Sequence, residues 1–163
     1  MNQSQFGFRK NHSTDLALLE VLDNIYSKLD KHETVVGIFL DLQKAFDTVN
    51  HEILLYKLHS YGIRGVTHSW FASYLTNRLQ FTSVDNVNSG LAMVNCGVPQ
   101  GSVLGPLLFL IYMNDIVNTV PGNNVKLFAD DMNLFVSGTD SLLLNQTANE
   151  YIQLLNDWLL ANR

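Results

Sequence analysis

The chain has 163 residues, of which 47% are apolar and only 15% are charged, and its formal net charge is −5 at neutral pH. This length suits one domain with a sizeable core, and the apolar fraction excludes a disordered chain. The acidic balance counts against simple binding of nucleic-acid phosphates, which requires Lys and Arg. Cys96 is the only cysteine, so an intrachain disulfide is excluded and a reducing intracellular setting is expected.

The first half of the chain predicts a helix, a strand and two further helices. Ser13 or Thr14 can cap the first helix, and Thr34–Leu40 is a β-rich apolar run that predicts a buried strand. Helices follow near residues 49–60 and around residues 70–75. The apolar stripe of the first helix consists of Leu18, Leu22, Ile25 and Leu29.

The second half predicts two strands at 81–84 and 91–94, joined by an Asn/Ser/Gly loop. A helix begins near Pro106, short strands at 125–129 and 133–137 form a hairpin, and a last helix follows. The order of elements predicts an α+β fold with helices on one face of a mainly antiparallel, ferredoxin-like sheet. The longest apolar run is far shorter than the ~20 residues that span a bilayer, so no membrane association is expected.

Three aspartates are the strongest candidates for chemistry. Asp130 and Asp131 are adjacent at the predicted hairpin turn, and Asp41 ends the predicted strand at Thr34–Leu40. Aspartate is common in turns and at strand ends, which is the alternative interpretation for each residue alone. Adjacent carboxylates repel unless a cation lies between them, however, and three carboxylates can bind two hard cations such as Mg²⁺. The pattern therefore predicts a two-metal site if the strands are neighbours in the sheet.

Phe46 follows Asp41 by five residues. An aromatic ring just past a metal-binding aspartate could press against an incoming sugar and exclude a 2′-hydroxyl, although an ordinary core phenylalanine is the alternative. Asp47 is equally well interpreted as the N-terminal cap of the next helix.

Two further groups could contact a ligand. In Pro99-Gln100-Gly101-Ser102, Gly101 allows close approach of the backbone and Gln100 offers donors and acceptors to a base or sugar. An ordinary strand-to-helix connection would use the same residues. Arg9 and Lys10, beside two phenylalanines, could contact a nucleic-acid backbone or stack on a base, or they form a solvated basic pair.

Four blocks in this order resemble the reverse transcriptases of non-LTR (LINE-like) retrotransposons. They are Gln5-Phe6-Gly7-Phe8-Arg9 with His12-Ser13-Thr14, Phe39-Leu40-Asp41-Leu42 through Lys44-Ala45-Phe46-Asp47, Gly97-Val98-Pro99-Gln100-Gly101-Ser102-Val103-Leu104-Gly105-Pro106, and Phe128-Ala129-Asp130-Asp131. The resemblance covers nearly the whole chain. Phe128 stands where many relatives have tyrosine, which we interpret as a tolerated aromatic exchange.

The resemblance implies an RNA-directed DNA polymerase with a right-hand fold. Residues 1–33 would be a partial fingers segment and residues 34–163 the palm. Two Mg²⁺ ions, or Mn²⁺ in their place, would be the cofactors, and an RNA template, a DNA primer and a dNTP would be the partners. By the same resemblance the metal ligands would be Asp41, Asp130 and Asp131, the sugar gate Phe46, the template–nucleotide pocket Gln100, Gly101 and Phe128, and the nucleic-acid contacts Arg9 and Lys10.

The same resemblance leads us to expect more protein than this chain holds. A basic fingers segment would precede Met1, while a thumb and the endonuclease region of a parent polyprotein would lie elsewhere, so the chain is expected to be a fragment. An intracellular location in nucleus and cytoplasm is expected. The alternatives are a catalytically inactive retrotransposon remnant or nucleic-acid-binding scaffold and, less compatible with Phe46 and the Pro99-Gln100-Gly101 block, a nucleotide cyclase.

Overall fold

The computed structural model describes residues 1–122 and 124–163, which form two compact units. The first unit comprises Met1–Gln43 and Met113–Arg163, and the second comprises Lys44–Tyr112. In chain order the elements are α1 (Thr14–Leu29), β1 (Thr34–Leu40), α2 (His51–Ser60), α3 (Gly65–Leu75), β2 (Arg78–Gln80), β3 (Ser83–Val84), β4 (Val87–Asn88), β5 (Ala92–Val94), α4 (Gly105–Met113), β6 (Val125–Phe128), β7 (Asp131–Gly138) and α5 (Ser141–Ala161), with short 3-10 helices at Ala45–Asp47 and Ile116–Asn118. The predicted α+β composition is confirmed.

The compact units do not follow the predicted boundary between residues 33 and 34. Helix α1 contacts both β1 and β6, so the residues before Thr34 belong to the same unit as the sheet. The difference arises because the first unit is discontinuous in sequence, and its two segments are joined by strand pairing. Which parts correspond to fingers and palm stays a prediction.

The first unit is built around an antiparallel sheet in the order β1-β7-β6. Strand β7 is central, and its residues Met132, Leu134 and Val136 are buried. Helix α5 contacts β7, and it contributes a buried stripe of its own that includes Leu144 and Leu155. The apolar core of this unit therefore lies between the central strand and the last helix.

Strand β1 has the predicted bounds, but the prediction that it is buried is wrong. None of its seven residues is buried, and Phe39 is among the exposed large apolar side chains. The reason is its place in the sheet, since β1 lies at an edge and pairs only with β7 among the described strands. An apolar run indicates a strand but does not reveal which strand will be central.

Helix α1 begins where the sequence predicts. Ser13 is its N-cap, and the Ser13 hydroxyl accepts a hydrogen bond from the backbone N–H of Leu16. No residue of α1 is buried, although the helix contacts β1 and β6. One contact is an ion pair between Glu20 and the buried ammonium of Lys126 on β6. The apolar stripe of α1 thus remains largely uncovered.

Two small hairpins in the second unit differ from the predicted strand pair. Strand β5 pairs with β2 rather than with residues 81–84, and β3 pairs with β4. The cause is a two-residue turn at Asp85 and Asn86, whose φ angles of 50° and 64° are both positive. Two-residue turns of this kind connect the two strands of a tight hairpin, so β3 pairs with β4, the next strand along the chain.

The core of the second unit is apolar and mostly helical. Helix α4 contributes side chains that are almost completely buried, and the remaining core side chains come mainly from α2 and the end of α3. The largest buried members are Leu54, Leu58, Leu75, Leu108, Phe109 and Leu110. Within the part of the chain that the structure describes, no helix has both the length and the apolar character needed to cross a membrane.

Candidate active site

The acidic turn connects β6 to β7 in the first unit. Phe128 pairs with Asp131 across the hairpin, which leaves Ala129 and Asp130 at its tip and confirms the predicted hairpin. Ala129 is buried and has a φ of 57°, a left-handed conformation that L-residues seldom adopt. The two aspartates therefore follow a residue whose backbone is in an unusual conformation.

Asp41 reaches the same edge of the sheet from the neighbouring strand. Strand β1 ends with Leu40 opposite Met132, so the next residue along the chain lies beside the beginning of β7. Asp41 and Asp131 line one open cavity of about 380 Å³, together with Phe39, Leu40, Phe128 and Asn133. The structure thus brings together two of the three aspartates that the sequence singles out, although 90 residues separate them in the chain.

The donors around this cavity suit a hard cation. Asp41, Asp131 and Asn133 offer carboxylate and amide oxygens, which are the ligands that Mg²⁺ prefers. Asp130 is half-buried and is not among the lining residues. Among residues 1–122 and 124–163, no three His, Cys, Asp or Glu side chains lie close enough together to hold a metal ion. The fit to a cation therefore rests on Asp41 and Asp131, and the predicted participation of Asp130 stays a prediction.

Phe46 lies in the second unit, in the short 3-10 helix Ala45–Asp47. Its ring stacks on the buried ring of Phe109 in α4, with centroids 4.2 Å apart and an interplanar angle of 25°. Its carbonyl accepts a hydrogen bond of 2.9 Å from the N–H of Val98. The half-buried ring is therefore fixed on one face by α4 and on the backbone side by the loop that precedes Pro99.

Gln100 lines a second cavity, of about 610 Å³, that lies entirely within the second unit. Its side-chain Nε2 donates to Oδ1 of Asp47 at 2.9 Å. The interpretation of Asp47 as a helix cap is wrong, because Asn50 caps α2 through hydrogen bonds from the N–H groups of Glu52 and Ile53. Gly101 has a φ of 75°. Asp47 thus orients Gln100 toward the cavity rather than starting a helix.

A buried histidine that the sequence did not single out holds this loop. His51 donates from Nε2 to the carbonyl oxygen of Gly97 at 2.7 Å, and the Gly97 N–H donates to the carbonyl of Val49 at 2.8 Å. Gly97 is required here, since a Cβ atom would lie 2.8 Å from the carbonyl oxygen of Asp47. These contacts anchor the start of the block that contains Gln100.

Arg9 and Lys10 lie in the first unit, near its N-terminus. The Arg9 Nη1 donates to the carbonyl oxygens of Asn2 at 2.7 Å and Gln5 at 2.9 Å, so this guanidinium braces the N-terminal loop. Lys10 is exposed. Contact of either residue with nucleic acid stays a prediction.

The residues that the resemblance groups into one template–nucleotide pocket are divided between the two units. Phe128 lines the cavity of Asp41 and Asp131 in the first unit, whereas Gln100 and Gly101 belong to the second. Gln5, which the sequence offered only as part of a matching block, contacts the acidic turn from the N-terminal segment. No local pattern would have singled it out.

Comparisons with known proteins agree on one family. The profile of the family described as reverse transcriptase (RNA-dependent DNA polymerase) matches residues 1–163. The chain is 33% identical over 161 residues to the "RNA-directed DNA polymerase from mobile element jockey" of Drosophila melanogaster, covering 94% of this chain and 18% of that protein. It is 35% identical over 134 residues to the "Probable RNA-directed DNA polymerase from transposon X-element" of the same species, covering 80% of this chain and 15% of that protein. The chain therefore spans less than a fifth of these relatives.

A solved structure shares the fold. The apo telomerase from Candida tropicalis, truncated from its C-terminal domain, superposes with a TM-score of 0.67 over 93% of this chain and 32% of that one. Sequence identity in the comparison is only 13%, so the likeness concerns the arrangement of the backbone.

Proposed function

The chain belongs to the reverse transcriptase (RNA-dependent DNA polymerase) family, and from this premise we propose that it is the catalytic palm of a non-LTR retrotransposon polymerase. The proposed reaction joins the 3′-oxygen of a DNA primer to the α-phosphorus of a dNTP, directed by an RNA template, and releases pyrophosphate. The observation that carries the proposal is the shared cavity of Asp41 and Asp131 at the ends of two neighbouring antiparallel strands. The remainder of a parent polyprotein would supply the basic surface for nucleic-acid phosphates that this acidic chain lacks.

The carboxylates would hold the cofactor. We propose that Asp41 and Asp131, joined by Asp130, bind two Mg²⁺ ions, for which Mn²⁺ can substitute. Bound there, the ions would lower the pKa of the primer hydroxyl and neutralise charge on the triphosphate. Two carboxylates at one cavity repel each other when it is empty, which favours capture of a cation.

The remaining residues would position the substrates, as in other phosphoryl transfers, where the protein mainly supplies geometry and charge. Gln100, oriented by Asp47, would meet the base or sugar of the templated nucleotide, with Gly101 allowing close approach. Phe128, which lines the carboxylate cavity, would contact the template or the incoming nucleotide. Arg9 and Lys10 would contact the nucleic-acid backbone.

Primer extension by the full-length polymerase tests the carboxylates directly. On a poly(rA)/oligo(dT) hybrid with Mg²⁺, Asp41→Asn and Asp131→Asn are each expected to reduce kcat by about 100-fold or more, because each removes charge that acts in the transition state. Asp140→Asn is the matched control. Asp140 caps α5 by accepting from two backbone N–H groups, and asparagine caps equally well.

Two outcomes would overturn the proposal. If Asp41→Asn extended primers within a few-fold of the unchanged enzyme, the carboxylate site would be ruled out. If the enzyme with all three aspartates bound the hybrid without extending it under Mg²⁺ or Mn²⁺, the inactive nucleic-acid-binding alternative would replace the polymerase.

The sugar gate at Phe46 makes a separate prediction. Its ring is held against Phe109, so a smaller side chain leaves an opening where a 2′-hydroxyl could fit. In the full-length polymerase, Phe46→Val is expected to raise kcat/KM for ribonucleotides relative to deoxyribonucleotides by about 10-fold or more. Phe71→Val, the same change on α3 of the same unit, is the control. An unchanged ratio in Phe46→Val would remove Phe46 from the gate.

A further inference from the structure

The N-terminal segment runs beside the strand that leads into the acidic turn. The N–H of Phe6 donates to the carbonyl of Leu127, and the N–H of Leu127 donates to the carbonyl of Ser4, both at 2.8 Å. Gln5 and Leu127 form a parallel bridge. This pairing extends the edge of the sheet at β6 and brings Gln5 next to the end of that strand.

Gln5 is 1% exposed, and two of the three hydrogen bonds of its side-chain amide are with Ala129. Oε1 accepts from the N–H of Ala129 at 3.0 Å and from the N–H of Gly7 at 2.8 Å, while Nε2 donates to the carbonyl of Ala129 at 3.3 Å. The amide thereby forms hydrogen bonds with both the N–H and the carbonyl of Ala129, as the backbone of a neighbouring strand would. Without it, a buried N–H and a buried carbonyl would lose a hydrogen-bond partner, which is unfavourable in a protein interior.

The segment can approach the turn this closely only because residue 7 is glycine. A Cβ atom on Gly7 would lie 2.3 Å from the backbone nitrogen of Ala129 and 2.9 Å from its Cα, which are impossible contacts. Arg9 secures the segment by donating to the Gln5 carbonyl at 2.9 Å. Gln5 and Gly7 thus both lie against the residue before the aspartates, and Arg9 braces the backbone of Gln5.

We propose that Gln5 is a positioning residue, which holds Ala129 in its left-handed conformation and thereby fixes the direction of Asp130 and Asp131 toward a bound cation. The inference rests on the proposed function, because it assigns the aspartates a cation. Its physical basis is local. Ala129 at a φ of 57° is unfavourable by itself, and the paired hydrogen bonds from the buried amide offset that strain.

The test is the Mg²⁺ concentration that gives half-maximal primer extension by the full-length polymerase. Gln5→Met keeps the size of the side chain and removes its hydrogen bonds. It is expected to raise that concentration by about 10- to 100-fold, the effect seen when residues that orient metal ligands are removed. Part of the lost rate should return at saturating Mg²⁺. Gln3→Met is the matched control, since Gln3 is exposed two residues away.

A purely structural role would reduce the amount of folded enzyme without changing its Mg²⁺ dependence, so thermal unfolding is measured beside each titration. A half-saturating concentration in Gln5→Met within two-fold of that in Gln3→Met would overturn the inference.

If Gln5→Met does not fold, Ala129→Gly supplies the test, because glycine adopts positive φ without strain. Gln5→Met combined with Ala129→Gly should then need several-fold more Mg²⁺ than Ala129→Gly alone, and equal requirements would overturn the inference. Failure of the proposed function looks different, since Asp41→Asn and Asp131→Asn would then leave extension unchanged. Loss of extension in both aspartate variants with no shift in Gln5→Met refutes only the role of Gln5.

Discussion

At the scale of single residues, the clearest electrostatic effect is at Glu33, just before β1. The Ser137 hydroxyl on β7 donates to Oε2 of Glu33 at 2.5 Å, and this hydrogen bond is the main reason that the pKa of Glu33 lies below its ordinary value of 4.5. The charges of Lys28 and Lys31 lower the pKa further, and partial desolvation opposes them. The carboxylate is therefore favoured in the folded chain.

Removing the hydroxyl makes a pH-dependent prediction. A lowered pKa in the folded state contributes stability above the ordinary pKa, and that contribution is lost as the pH falls through the folded value. Ser137→Ala should therefore lower stability to urea at pH 7, and its difference from the unchanged chain should shrink below about pH 4. Ser83→Ala on the exposed strand β3 is the control. A difference that grows on acidification would contradict this account.

Which residues the sequence could identify depends on how local their partners are. Ser13 was one of two predicted caps of α1, with Thr14, and it could be recognised because its partner is only three residues away. His51 and Gln5 could not be assigned roles, since their partners lie 46 and 124 residues away. Asp41 and Asp131 are also far apart in sequence, but the ability of several carboxylates to bind one cation site predicted that they would lie together. The sequence could not reveal that Asp130 lies outside their cavity.

At the scale of elements, hydrophobic periodicity located the helices and the strand Thr34–Leu40, because it reports local conformation. Strand order and pairing followed from contacts that the local pattern does not contain. The apolar run of β1 gave no sign that it would lie at the edge of its sheet. The turn at Asp85 and Asn86, once recognised as a two-residue hairpin turn, accounts for the altered pairing of β3.

Gly97, in the loop before Gln100, is predicted to tolerate substitution less well than a glycine with open space around it. Gly97 and Gly62 have φ angles of 86° and 93°, but only Gly97 has backbone atoms of Asp47 where a Cβ would lie. Gly62→Ala should lower the free energy of unfolding by about 1 kcal/mol, the strain of a left-handed residue. Gly97→Ala should lower it by roughly 2–4 kcal/mol, because the clash adds to that strain. Equal losses in urea denaturation would contradict the close approach to Asp47.

At the scale of the whole molecule, much apolar surface is uncovered. Helix α1 exposes Leu18, Leu22 and Leu29 of its apolar stripe although it contacts the sheet. Such a surface agrees with the charged fraction of only 15%, because an average domain has about 25% charged residues. Amphipathic periodicity identified the stripe, but it could not show that the described residues leave the stripe open.

Replacing leucine by alanine is predicted to lower the free energy of unfolding very differently on the exposed stripe and in the core. Leu18 is 58% exposed and Leu127 on β6 is 2% exposed. At low protein concentration, Leu18→Ala should change the free energy of unfolding by less than about 0.5 kcal/mol, as at other surface positions. Leu127→Ala should lower it by about 2–5 kcal/mol through loss of burial and creation of a cavity. Similar costs would mean that α1 is covered in solution.

The parallel pairing of the N-terminal segment with β6 has a consequence for the order in which the molecule assembles. Gln5 and Ala129 are separated by 124 residues, so their contact closes a very long loop and is entropically unfavourable until the sheet exists. During synthesis, the segment around Gln5 must wait until Leu127 and Ala129 have been made before it can form this pairing. The turn that carries Asp130 and Asp131 is therefore expected to reach its final conformation late in folding, after the sheet has formed.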